Sequence, residues 1–426
     1  MSVQDKVSSI AERYKNIRSL TEKIVYPLET EDYMVQASPD ASPPKWHLAH
    51  TTWFFEKFIL KSYLSQYKEL NPHFDYLFNS YYETVGAFHP RHSRGNLARP
   101  TVKEVISYRH HVDEHMQKLI GQMNPEEHTD LKDLIEIGLN HEQQHQELLL
   151  TDIKFNFSQN PILPTFIKDK DKEKDETETI PYQESTTVEM EGGLVEIGHS
   201  GDVFAFDNEG PRHKVWLNPY TLSSHPVMNV EFMEFIADGG YERPELWLSE
   251  GWEHVQKEGW NAPLYWKKHG DEWHYFTLTG ERKVEKYEPV CHVSFYEADA
   301  FARWAGKRLP TEAEWEHAFE LVKVDGNFLE KEMMHPTWED ISIHGPFNKV
   351  YGDVWEWTSS AYSPYPGSKP LEGALGEYNA KFMCNQMVLK GGSCATPMSH
   401  MRATYRNFFQ PEKRWQFSGF RLAGDL

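Results

Sequence analysis

The stretch His141–Ile153, HEQQHQELLLTDI, sets two histidines four positions apart in a helical pattern. Residues at that spacing share one face of a helix, so both imidazoles can reach a single metal ion. Leu134, Gly138, His141, His145 and Leu148 continue the face, which puts the pair on the buried side. Burying two imidazoles among leucines is costly unless something satisfies their nitrogens, and a metal ion would do so. With 22 histidines in the chain, about one such pair arises by chance. A second pair does occur, His111 and His115, at the flank of the apolar stripe Val102, Val105, Ile106, Val112, Met116 and Leu119. It reads as surface or boundary histidines.

Outward from this segment the N-terminal part reads as helices. The first runs from about Val3 to Ile24, and Pro43-Pro44 opens a second over Lys45–Tyr67, Pro being tolerated in a first turn. Thr101 and Glu104 form a capping box that starts a helix reaching about Met123. Asn124-Pro125-Glu126 starts the helical region that ends near Phe157. Helices of this number and length suggest a bundle.

A third metal ligand should come from another helix, and Trp46–Trp53, WHLAHTTW, offers His47 and His50. Spacing favours His50, which shares a face with Phe54 and with Trp46 or Trp53. His47, near the helix start, reads as a cap or a solvent-facing residue. Three histidines without an obligate carboxylate leave open positions for substrate and O2 on iron. The same set could hold catalytic zinc, and spacing does not separate the two metals.

A chain of 426 residues implies two domains. The clearest break is Lys168–Thr179, KDKDKEKDETET, which has no apolar residue and reads as a solvated linker. This predicts a helical bundle over 1–165, a charged linker over 166–185 and a second domain over 186–426. The second domain is rich in Gly, Trp and Pro, with strand-like pieces at Leu194–Ile197 and Lys214–Leu217 and helical stretches at Asn229–Ala237 and Tyr296–Ala305. That texture is α+β. A net charge of −21 argues against nucleic-acid binding. Cys291, Cys384 and Cys394 make no CxxC, and Cys384 and Cys394 read as buried small residues. The N-terminus has no apolar signal core, and no run is long enough to span a membrane. The expectation is a cytoplasmic protein with neither nucleic-acid nor membrane partners; its oligomeric state is not legible.

The N-terminal part resembles a DinB-type four-helix bundle, through WHLAHTTWFFE (Trp46–Glu56), LFNSYYETVG (Leu77–Gly86), HPRHSRGNLARP (His89–Pro100) and HEQQHQELLLTDI. The C-terminal part resembles the formylglycine-generating-enzyme (sulfatase-modifying factor) fold, a C-type-lectin-like domain. Its markers are EGGLVEIG (Glu191–Gly198), NEGPRHKV (Asn208–Val215) and WAGKRLPTEAEWEHA (Trp304–Ala318). GDVWEWTSS (Gly352–Ser360), KGGSC (Lys390–Cys394) and GFRLA (Gly419–Ala423) complete the set. In this order, in one chain of α plus α+β class, the markers are similar to the ergothioneine-biosynthetic sulfoxide synthases.

That resemblance implies Fe(II) held by His50, His141 and His145, with O2 as co-substrate. It implies a C–S bond formed between a thiol and hercynine, the Nα-trimethylated histidine. Tyr81 and Tyr82 match the tandem tyrosines of one branch, where a phenol near the metal donates a proton; without such a donor the thiol is itself oxidised. Tyr362 is a further candidate for that role. Arg91 and Arg94 would anchor the carboxylate of the sulfur donor, and Gln144 would touch substrate or water beside the metal. Asn407, Phe408 and Phe409 occupy the substrate loop, the amide suiting a carboxylate and the rings a quaternary ammonium. No Asp lies near this loop, which continues Gln410-Pro411-Glu412-Lys413. Together with the tandem tyrosines, this favours free cysteine over γ-glutamylcysteine as donor. Protein-modifying activity of the parent fold needs a close pair of late cysteines, and Cys394 has none beside it. The alternatives are selenium–carbon coupling, ovothiol-type coupling, or a zinc-dependent DinB-type thiol-binding protein without O2 chemistry.

Overall fold

A computed structural model describes residues 3–124, 126–168, 184–201, 203–337, 339 and 343–426. Apart from Lys168, the charged run Lys168–Thr179 lies outside the described residues. The chain forms two compact units, one of Met1–Ile162 with Leu371–Tyr378 and one of Leu163–Pro370 with Asn379–Leu426. The first unit is therefore discontinuous: a short stretch from far along the chain belongs to it.

In the first unit the long helices are α1 (Val3–Val25), α2 (Pro44–Phe55), α5 (Val102–Gln122) and α6 (Thr129–Ser158). They pack as a bundle in which α2 contacts both α5 and α6 and α1 also lies against both. Pro44 sits in the first turn of α2, every residue of which is buried. Its helical path continues through a π turn (Glu56–Leu60) and α3 (Lys61–Tyr63), short of the expected Tyr67. The reason lies in Glu56, whose buried carboxylate accepts the Tyr108 hydroxyl at 2.6 Å and also the Tyr67 hydroxyl. Drawing Tyr67 back to Glu56 requires the chain to leave the helix at Leu64. A short helix, α4 (Phe74–Phe78), follows.

The expected capping box starts α5. Thr101 Oγ1 accepts the Glu104 N–H at 3.2 Å, and the Glu104 carboxylate accepts the Thr101 N–H at 2.7 Å, a device worth about 1 kcal/mol. Helix α6 begins later than Asn124, because Asn124 is spent on a turn. Its side chain accepts the Glu126 N–H at 3.2 Å and its carbonyl the His128 N–H at 2.9 Å. Gly138 sets how closely α2 and α6 approach, since a Cβ there would lie 2.6 Å from the Phe55 ring.

Four helices, α7 (Asn229–Ala237), α8 (Ser249–Glu258), α9 (Phe295–Trp304) and α10 (Glu312–Phe319), accompany small sheets in the second unit. The expected pieces at 194–197 and 214–217 are the paired strands β2 (Gly193–Ile197) and β3 (His213–Leu217). A second sheet holds β1 (Thr187–Met190), β4 (Tyr220–Ser223) and β16 (Ala423–Asp425), and a meander joins β5 (Trp266–His269), β6 (Glu272–Thr277) and β7 (Gly280–Lys283). Short pairs form between β8 (Gly326–Asn327) and β11 (Tyr351–Gly352), and between β9 (Ile343–His344) and β10 (Phe347–Asn348). The sheet that carries Asn407, Phe408 and Phe409 runs β14 (Asn407–Phe409), β13 (Met387–Lys390), β12 (Trp355–Ala361), β15 (Ser418–Gly419).

Buried indoles of this unit donate to buried acceptors, as buried polar groups must. Trp315 donates to Glu356 at 2.8 Å and Trp357 to the Val293 carbonyl at 2.9 Å. Cys394 is buried as expected, but Cys384 is exposed: it follows the short helical turn Ala380–Phe382 rather than entering the sheet. No described helix is long and apolar enough to cross a membrane.

Candidate functional site

In the first unit, α2 carries Trp46, His50 and Trp53 at helical spacing, and α6 carries His141 and His145. The structure brings His50, His141 and His145 together, buried, with one potential ligand atom of each within 4.8 Å of the others. The Nδ1 of His50 lies 2.6 Å from the Phe78 carbonyl at the end of α4. A carbonyl only accepts, so that nitrogen carries the proton and the His50 Nε2 presents a bare lone pair. It points at the His141 Nε2, 3.1 Å away. Burial depresses all three imidazoles, His141 to about 3 and the other two well below the usual histidine range. They are neutral at physiological pH. Clustered neutral imidazoles with no carboxylate among them fit a divalent metal ion of intermediate softness.

His47 is corrected by the structure. It neither caps α2 nor meets solvent, being 3% exposed. Its Nδ1 lies 2.8 Å from the His145 Nδ1 and its Nε2 lies 3.0 Å from the Asp152 carboxylate. The signal was present in the spacing. His47 is three positions before His50, and Asp152 is two helical turns beyond His145 on the same face. The pair His111 and His115 stays half-buried beside the Tyr67 ring.

Arg94 is buried, with its guanidinium 3.4 Å over the centroid of the Trp46 ring. The opposite partner of that indole is His50, stacked at 4.5 Å and 12°. Arg94 Nη1 donates to Ser42 Oγ at 2.9 Å, while Nε has no hydrogen-bond partner. Burial first, and the like charge of Arg91 second, lower its pKa, the mark of a cation that lacks a counter-ion. Arg91 itself is exposed and donates to the Asp40 carbonyl.

Tyr82 is fully buried against Trp53 and Phe58, and its ring stacks on Tyr81 at 4.6 Å. Burial, reinforced by the Tyr81 and Tyr378 phenols, holds its hydroxyl well above the usual range. Gln144 accepts the Tyr378 hydroxyl, and the Tyr378 ring lies 5.7 Å from His141. Tyr378 escaped the sequence reading because it is 234 positions from Gln144. Its neighbour Glu377 anchors the returning stretch, accepting the Glu83 and Thr84 N–H groups at 3.0 Å each and the Thr84 hydroxyl at 2.6 Å.

In the second unit, Phe408 stacks on Tyr362 at 4.1 Å and 11°, and Tyr362 in turn accepts the Asn208 amide at 2.8 Å. Asn407 and Phe409 share the other face of β14. The Asn407 Oδ1 accepts the Phe408 N–H at 2.9 Å, so the donor of this side chain is its amide nitrogen. Phe409 meets Trp415 edge-on at 5.5 Å.

Residues 13–149 match the DinB superfamily. Residues 172–340 and 340–426 match the sulfatase-modifying factor enzyme 1-like domain. The chain is 30% identical over 420 residues to the hercynine oxygenase of Mycolicibacterium smegmatis, spanning 92% of this chain and 93% of that protein. It is 35% identical over 246 residues to the hercynine oxygenase of Mycobacterium tuberculosis, covering 52% of this chain and 56% of the relative. The formylglycine-generating enzyme of Streptomyces coelicolor is 29% identical over 283 residues, covering 56% and 88%.

Proposed function

This chain belongs to the hercynine oxygenase family and is an oxidoreductase, and from that premise we propose that it couples a thiol to hercynine. The overall change removes the imidazole C2 hydrogen and the thiol hydrogen, forms a C–S bond, and delivers one oxygen atom of O2 to sulfur as the sulfoxide and the other to water. Atoms and electrons balance without a further reductant. The observation that carries the reading is the cluster of buried His50, His141 and His145. We take these as ligands of Fe(II), which when bound would supply the redox chemistry that O2 requires.

The remaining residues bind and move protons. Arg94, buried with an open Nε, suits the carboxylate of the sulfur donor, with Arg91 contributing charge. Free cysteine is the favoured donor. Tyr82, kept protonated by its raised pKa, serves as a proton donor with Tyr81; Tyr378, which acts electrostatically on the Tyr82 hydroxyl and is held by Gln144, is a third phenol of the set. The stacking of Phe408 on Tyr362 commits one face of that ring, so Phe409 with Trp415 is the better partner for a trimethylammonium. Asn407 would donate to the hercynine carboxylate.

Mass spectrometry of aerobic mixtures of the iron-loaded protein, hercynine and either cysteine or γ-glutamylcysteine tests this reading. A hercynine–thiol sulfoxide in one tube supports it and names the donor. No adduct in either tube, with iron bound and only oxidised thiol formed, overturns it. Substituting Arg94→Ala removes charge-assisted hydrogen bonds worth about 1.5–3 kcal/mol. KM for the thiol should then rise about tenfold to a hundredfold while KM for hercynine holds. Arg94→Lys should recover little, because a point charge cannot replace a planar fork stacked on an indole.

A further inference from the structure

Beyond His50, His141 and His145, the histidine cluster has a buried outer chain whose donors and acceptors can be assigned one by one. Asp152 Oδ2 accepts the Ser42 N–H at 2.7 Å, and it faces the His47 Nε2 at 3.0 Å. A carboxylate only accepts, so the His47 Nε2 carries a hydrogen. The other nitrogen of His47 faces the His145 Nδ1 at 2.8 Å. Between two imidazole nitrogens that close, one must donate and one must accept. With the His47 Nδ1 bare, the His145 Nδ1 carries the hydrogen, and the lone pair of the ring is left on the His145 Nε2.

We infer that His47 and Asp152 are positioning residues, which fix the tautomer and ring orientation of His145 so that its Nε2 is ready to ligate the metal. The inference rests on the reading of His50, His141 and His145 as metal ligands. It also makes the three ligands unequal. A backbone carbonyl orients His50, a histidine–carboxylate pair orients His145, and the His141 Nδ1 has no partner. The choice of histidine at position 47 follows from the geometry, since the outer partner must accept from one side and donate to the other. Glutamine has the same two functions in the same order, its carbonyl towards His145 and its amide nitrogen towards Asp152. Leucine has neither.

The test uses the full chain and Co(II), whose visible absorption reports coordination geometry. His47→Leu should weaken Co(II) binding about 10- to 100-fold, as removal of an outer-shell partner does elsewhere, and should alter the Co(II) spectrum. Asp152→Ala should act in the same direction, because without the carboxylate His47 can adopt either tautomer. His47→Gln should restore most of the affinity and the parent spectrum. If His47→Leu binds Co(II) with parent affinity and spectrum and only melts earlier when metal-free, the residue merely packs and the inference fails. A parent protein that binds no Co(II), or that binds it equally well as His145→Ala, overturns the ligand reading itself. Loss on His145→Ala without loss on His47→Leu overturns only the positioning role.

Discussion

Substituting Glu142→Ala should destabilise the metal-free protein by about 3–5 kcal/mol, the usual cost of leaving buried cations without their anion. Glu142 is fully buried on α6, next to His141. One oxygen accepts Arg109 at 2.5 Å and Thr21 at 2.6 Å, and the other accepts Arg18 at 2.7 Å. These bonds tie α6 to α1 and α5. Burial alone would raise the carboxyl pKa, but Arg109 and Arg18 outweigh it and hold the group at about 2, against an ordinary 4.5. The unfolded chain therefore binds the proton more readily. The stabilisation is fully present above the unfolded pKa and drains away as pH falls towards 2. Urea unfolding at neutral pH, with hydrogen exchange of the α6 amides as a local readout, measures the loss. A shift in stability below about 1 kcal/mol would show that the two arginines find other partners. Arg18 has one at hand in Asp113, 2.6 Å away; Arg109 does not have so close a substitute, Glu22 lying at 3.3 Å and partly exposed.

The second large effect is functional. His141→Leu should abolish stoichiometric iron binding and lower coupling to background, while the metal-free protein melts no earlier than the parent. Loss of a ligand must exceed the 10- to 100-fold cost of losing an outer partner. Stability behaves differently because the His141 Nδ1 is buried without a hydrogen-bond partner, a defect worth about 1–3 kcal/mol. Leucine removes that defect and fills much of the space, which offsets the loss of the 3.1 Å contact between the His141 and His50 Nε2 atoms. A higher melting temperature joined to lost metal is the pattern of a residue kept for function against stability. Retained iron at parent affinity, or a melting temperature many degrees lower, would contradict the assignment. Metal analysis and calorimetry of the same preparations decide it.

Legibility in the sequence followed the range of the interaction. The Thr101–Glu104 cap and the shared face of His141 and His145 depend on residues within a turn or so, and spacing alone reveals them. The role of His47 lies in Asp152, on another helix; spacing places each on the ligand face of its own helix, but does not pair the two across helices. The sequence pattern runs helical to Tyr67 because nothing local announces the exit at Leu64, which answers to the contact of Tyr67 with Glu56. Tyr378 was beyond reach, since no periodicity links it to Gln144 across 234 positions. Phe408 and Phe409 are adjacent and alike in composition, and only the strand assignment separates the ring stacked on Tyr362 from the ring beside Trp415.

The discontinuous first unit constrains how such a protein can be inherited. A bundle transferred alone as residues 1–162 would carry the three histidines and both tandem tyrosines, but neither Tyr378 nor the Glu377 anchor. The gene segment for the second unit is interrupted by eight codons, Leu371–Tyr378, that serve the first. Shuffling the halves between relatives would then mix a bundle from one parent with a phenol from the other. Productive recombinants should be those whose crossover keeps the loop after Tyr82 and the Glu377–Tyr378 pair from the same parent.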